Sequence, residues 1–228
     1  MQERSGLGAY FFAALAGYAY VALWPWHPYP GSFLLKATPM LVLAVLAALK
    51  LDGRDRVLAV VAFVMSAVGD ALLDVDRANL LPGLLAFLVT QLCYVALFAP
   101  RAAWQPARVP VLVVLVLADA AFLVAGWPKF GPLLIPIVVY LTALLTMASA
   151  GVMVRGNRAL TIGALLFLVS DTLIGVNAFI APFAQSTPII VGIYFTAQLF
   201  IGWGMLFHRR EAFVPGVVAA HAAPTSAA

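Results

Sequence analysis

The chain has 228 residues, of which 64% are hydrophobic and 10% charged, and its mean hydropathy is +1.05. Soluble domains carry about 25% charged residues, so this composition excludes a water-facing globular surface and points to an integral membrane protein. Cys93, the single cysteine, excludes a disulfide framework and a cysteine metal cluster, and the net charge of +4 comes from basic residues scattered between apolar runs, with no nucleic-acid motif.

A bilayer core about 30 Å thick needs roughly 20 apolar residues per helix. Eight such runs follow one another: Leu7–Trp24, Ser32–Leu49, Val57–Leu73, Leu80–Ala99, Val109–Ala125, Leu133–Val154, Ala159–Ile180 and Pro188–Phe207. The expected fold is therefore an all-α bundle of eight transmembrane helices, one domain over residues 1–210. Residues 211–228, Ala-rich with Pro215 and Pro224, read as a disordered cytoplasmic tail. Ten of the 13 Lys and Arg fall in alternate loops on one side, whereas Lys36, Arg77 and Lys129 fall on the other. The excess of positive charge marks the cytoplasmic side, which receives both termini. Trp24, Trp26, Tyr29 and Trp127 sit at outer boundaries, where amphipathic aromatics belong.

Charge inside the hydrocarbon costs about 2.5–3.5 kcal/mol per residue on insertion scales, so intramembrane carboxylates mark functional sites. Asp70 lies 14 residues past Arg56 and Asp171 lies 13 past Arg158, on two helices that both run outward, which puts the carboxylates at nearly one depth. Asp74 is one turn beyond Asp70 on the same helical face. Lys36, Thr90, Gln91, Tyr94, Tyr140, Tyr194 and Gln198 reach comparable depth from the inward-running helices, with Asn177 near the outer end of the seventh. The pattern predicts one polar cavity in the outer half, with Asp70 and Asp171 facing each other across it. Asp119 has no counterpart in this pattern and suits a local interhelical bond as well as a site role. Lys36 suits either snorkelling to the interface or a counter-charge for an aspartate or a ligand phosphate. His27 and His208 lie at the membrane edges and His221 in the tail, so neither a metal nor a cofactor is expected.

The segments KATPMLVLA, SAVGDALL, PGLLAFLVTQLCY, Tyr140 to Met147, GALLFLVSDTLIGVNAF and YFTAQLFIGWG, in this order from Lys36 to Gly204, resemble the YhhN family. That family of eight-span membrane proteins includes the eukaryotic lysoplasmalogenases. One departure is Gln91, where the family pattern usually carries a His. The third and seventh spans also resemble each other (GDALL, SDTLI), in keeping with a 4+4 duplication.

The resemblance implies hydrolysis of the vinyl ether bond of a lysoplasmalogen, giving a fatty aldehyde and a glycerophospho-alcohol, in a bacterial inner membrane. Asp70 and Asp171 are then the general acid/base pair. Lys36, Asp74, Gln91, Tyr94, Tyr140, Asn177, Tyr194 and Gln198 would contact the single-chain phospholipid. Two other readings use the same aspartates: a proton-coupled transporter or lipid-binding membrane protein, and an intramembrane aspartyl protease. Against the protease, Ala67 occupies the first glycine position of GxGD and Ser170 precedes Asp171.

Overall fold

The computed structural model describes residues 2–76 and 80–208, with side chains from residue 6 onward. Arg77, Arg209, Arg210, the side chain of Arg4 and the expected tail lie outside the described residues. Eight helices cover the expected spans: α1 (Gln2–Ala22), α2 (Ser32–Lys50), α3 (Gly53–Val75), α4 (Leu80–Phe98), α5 (Val109–Gly126), α6 (Leu134–Met153), α7 (Arg158–Gly175) and α8 (Ser186–Leu206). From α2 onward all seven are long and apolar enough to cross a membrane; the apolar part of α1, Gly6–Ala22, is shorter. Helix α3 begins one turn before the apolar run because Arg54, Asp55 and Arg56 continue the backbone hydrogen bonding beyond the hydrocarbon, a boundary that hydropathy does not mark.

Antiparallel packing gives the bundle two unlike sides. On the basic side Arg56 bonds Asp52, Arg101 bonds Asp55, and Arg108 donates to carbonyls at the end of α6. The opposite side carries Trp24, Trp26, Tyr29 and Trp127, and there Lys129 Nζ donates to the Ile180 carbonyl at 3.0 Å. The inner helices are α2, α3, α4, α6, α7 and α8, whose facing residues Met40, Phe63, Tyr94, Met147, Phe167 and Phe195 are buried. Helix α5 is the most lipid-exposed and rests mainly on α6.

Helices α7 and α8 touch along a seam set by Gly163. A Cβ there would lie 2.8 Å from the Ala197 carbonyl oxygen and 2.7 Å from Ile201, so only hydrogen permits the approach. Beyond Gly175 the helix widens into one π turn, Val176–Ile180. Such turns often occur at functional sites, and this one begins five residues beyond Asp171.

Candidate active site

Asp70 is held where α3 presses on α4. A Cβ at Gly69 would meet the Phe87 ring at 2.7 Å, so the glycine brings the backbone beside Asp70 against that ring. The carboxylate is 2% exposed. Tyr194 of α8 donates to its Oδ2 at 2.8 Å, and Lys36 Nζ of α2 stands 4.0 Å from its Oδ1. Lys36 is itself 5% exposed, with Nζ 5.9 Å from the centre of the Tyr20 ring, so it is a buried counter-charge and does not snorkel. Behind Tyr194, Gln198 accepts from the Tyr94 hydroxyl at 2.6 Å and donates to Ser66 at 2.9 Å, and Thr90 completes the chain against Ser66 and the Ala62 carbonyl. Every polar group on this side of the site has a partner, as a low-dielectric interior requires.

Asp171 has a different shell. The Tyr140 hydroxyl donates to Oδ2, Ser170 donates to Oδ1 at 3.3 Å, and the Gln91 amide reaches Oδ2 only at 3.5 Å. Among the described residues no Lys or Arg bonds it. Asp171 and Tyr140 instead line a cavity of about 70 Å³ whose remaining wall is apolar, formed by residues that include Leu84, Phe87, Phe122, Ile137 and Phe179. A larger crevice of about 430 Å³ adjoins it and shares Leu73, Leu80, Ile174 and Phe179. Lys36, Asn177 and Thr187 supply the polar lining of that crevice. The two aspartates are not hydrogen-bonded to each other. Phe87 touches both neighbourhoods: its ring lies against Gly69, 5.6 Å from that of Tyr194, and lines the Asp171 cavity.

The structure therefore brings Lys36, Tyr194, Gln198 and Tyr94 to Asp70, and Tyr140 and Gln91 to Asp171. Asn177 stands in the crevice, where its Oδ1 accepts from the Phe183 amide at 3.2 Å. Asp74 belongs to a third cluster at the bundle edge. Tyr20 and Ser32 both donate to it, the latter at 2.5 Å, and His27 Nε2 is 3.4 Å away, so Asp74 ties the α1–α2 connection to α3. Sequence reasoning missed Tyr20, Ser32, His27, Ser66 and Phe87. Tyr20 and His27 could have been found, because the end of the first span and Asp74 fall at the same depth. Asp119 is half-exposed one turn from buried Leu115 and Phe122 and makes no hydrogen bond, so it is not a helix-to-helix tie. Among the described residues no group of three His, Cys, Asp or Glu could hold a metal ion.

A sequence model of the YhhN family matches residues 31–205, a span that includes Asp70, Asp74, Asp119 and Asp171. The chain belongs to the YhhN family. Among its relatives is the lysoplasmalogenase of Mycobacterium tuberculosis, 34% identical over 183 residues that cover 77% of this chain and 70% of the relative. The human lysoplasmalogenase TMEM86B is 32% identical over 170 residues, 74% of this chain and 72% of the relative. The Sus scrofa protein of the same name is 31% identical, over 86% of this chain and 84% of the relative. No solved structure matches the chain. In this YhhN protein Gln91 Nε2 stands 3.5 Å from Asp171 Oδ2.

Proposed function

We propose that this protein is an integral-membrane ether hydrolase that cleaves the vinyl ether bond of a lysoplasmalogen-type lysophospholipid. The observation that carries the reading is the crevice with a buried lysine adjoining an apolar cavity that ends on a carboxyl group. Lysoplasmalogenase relatives at 31–34% identity over most of the chain support the same substrate class.

The reaction suits the residues. Protonation of the β-carbon of R–CH=CH–O–R′ gives an oxocarbenium ion; water adds to the carbon next to oxygen and loses a proton; the hemiacetal then breaks its C–OR′ bond to give aldehyde and alcohol. The proton donor is Asp171, which lines the cavity and among the described residues is bonded by no Lys or Arg. Its conjugate base then accepts the proton of the attacking water. Asp70 supplies negative charge toward the oxocarbenium ion and is itself balanced by Lys36, which also faces a head-group phosphate in the crevice. Two carboxylates in unlike surroundings commonly divide acid and charge-stabilising roles in this way. Asp74, tied to Tyr20, Ser32 and His27, holds the entrance.

Both termini face the cytoplasm in this reading, so the crevice opens toward the outer leaflet of a bacterial inner membrane, with residues 1–210 as one domain. A 4+4 duplication is supported by reciprocal pairings: Asp70 of α3 bonds α8, and Asp171 of α7 bonds α4.

The test is aldehyde release by protein purified in detergent, over a panel of alkenyl, alkyl and acyl lysophospholipids. Release from the alkenyl lipid alone is expected. Absence of turnover with all three, by folded protein, would reject the reading.

A further inference from the structure

A groove of about 970 Å³ runs between α1 and α2 and shares no residue with the Asp171 cavity or its crevice. Gly6, Gly8, Ala9 and Phe12 line it on α1, and residues from Thr38 to Lys50 line it on α2. Two close contacts bound it. A Cβ on Gly17 would lie 3.3 Å from the Pro39 ring, and a Cβ on Gly6 would run into the Lys50 side chain. From Gly6 to Gly17 and from Pro39 to Lys50 is eleven residues on each helix, about 16 Å at 1.5 Å per residue. Half of a hydrocarbon core about 30 Å thick is about 15 Å. The groove is therefore one leaflet deep, and between the two contacts the small residues of α1 leave Leu41, Val45 and Leu49 exposed.

Lys50 stands at the basic end as the last residue of α2. Its stem crosses Gly6, and its Nζ sits 4.2 Å from the centre of the Phe207 ring, just past α8. A cation over an aromatic face is held in place, and among the described residues no carboxylate forms an ion pair with it. Thr38, the other polar side chain of the lining, already donates to the Leu34 carbonyl at 2.7 Å. A peptide segment such as residues 209–228 would leave its backbone groups without partners in this apolar wall, at a cost of several kcal/mol each. A symmetric contact with a second copy would set two Lys50 cations side by side on one face of the membrane. An acyl chain needs no hydrogen bond, and its phosphate brings the missing anion.

We propose that the groove holds one acyl chain of a monoanionic phospholipid from the leaflet on the basic side, with the phosphate on Lys50. This site stands apart from the hydrolase reading, because none of its residues enters that reaction.

The test is native mass spectrometry of the full chain released from detergent, with dioleoyl phosphatidylglycerol or dioleoyl phosphatidylcholine added at equal concentration. The wild type should carry one phosphatidylglycerol, bound about fivefold more tightly than phosphatidylcholine, the effect of one cation near a lipid surface. Lys50→Met, which keeps a stem over Phe207, should bind the two lipids alike. Gly8→Leu should weaken both about tenfold, the equivalent of about two displaced methylenes. A Cβ at Gly8 meets nothing within 4 Å, so the new side chain enters the groove without moving the helices, and an unchanged melting temperature without added lipid checks this. Lys36→Met, in the crevice, should leave phosphatidylglycerol binding as it was. Phosphatidylglycerol retained by Gly8→Leu, lost in Lys36→Met, or still preferred by Lys50→Met would overturn the site. So would a dimer that Gly8→Leu dissolves, which would give the groove to a second copy, or lipid that binds only after removal of residues 209–228, which would give it to that segment.

Discussion

The two halves of the polar core have the same ingredients and opposite states of satisfaction. Around Asp70 a tyrosine, a glutamine, a second tyrosine, a serine and a lysine close on one another until each polar atom on that side has a partner. Around Asp171 a tyrosine and a glutamine are again present, but among the described residues no Lys or Arg bonds it, one amide oxygen is left over, and a cavity meets the carboxyl. A saturated network fixes helix positions and holds a charge in place. An unsaturated one retains acceptors for substrate and water. In the proposed mechanism the proton donor belongs to the half that its own residues leave incomplete.

The largest effect that could break this division concerns Asp70. If its charge faces the reacting ether, Asp70→Asn should lower the rate of aldehyde release by about 10²–10⁴, even though the amide preserves the Tyr194 contact. Melting temperature in detergent should fall, since the variant takes away the negative charge that stands 4.0 Å from the buried Lys36 ammonium, so the rate is read per folded molecule. Retained activity would reduce Asp70 to scaffolding.

Asp74 sharpens the comparison from the structural side. Hydrogen bonds to a charged group contribute about 1.5–3 kcal/mol each, and Tyr20 and Ser32 both donate to this carboxylate. Asp74→Asn should therefore lower the melting temperature, with activity falling only in step with the folded fraction. A kinetic defect in fully folded protein would move Asp74 into the site.

Lys36 belongs to both halves, as the counter-charge of Asp70 and as a wall of the crevice. Lys36→Met should raise KM for phosphate-bearing lysolipids about tenfold, equivalent to about 1.4 kcal/mol, and change KM little for an uncharged alkenyl glycerol. Equal effects on both substrates would remove the head-group role. The smallest effect belongs to Asp119, which has no hydrogen-bond partner and touches neither half: Asp119→Asn should leave initial rates unchanged and stability equal or slightly higher.

Much of this was legible in the sequence because membrane depth is simple arithmetic. Offsets of 14 and 13 residues from Arg56 and Arg158 put Asp70 and Asp171 at nearly one depth in the sequence reading, and the loop pattern of Lys and Arg divided the loops into two sets. Depth says nothing about rotation around a helix axis. It could not tell that Gln198 turns into a complete network while Gln91 faces Asp171, nor that Asp74, one turn from Asp70, looks toward Tyr20 and His27. Phe87 was illegible for another reason: an aromatic in an apolar helix carries no signal until the glycine opposite it is known. The π turn after Gly175 likewise leaves no mark in hydropathy.

The most direct measurement sets Asp171→Asn beside Gln198→Leu, one variant in each half, and reads melting temperature and initial aldehyde release per folded molecule. Asp171→Asn should keep its melting temperature and lose activity by about 10²–10⁴. Gln198→Leu strands the Tyr94 hydroxyl, a buried polar group whose loss of partner costs about 1–3 kcal/mol, and leaves Ser66 with Thr90, so it should melt earlier and keep its rate per folded molecule. The reverse pattern, an active Asp171→Asn and a stable but inactive Gln198→Leu, would place the chemistry in the saturated half and contradict the division.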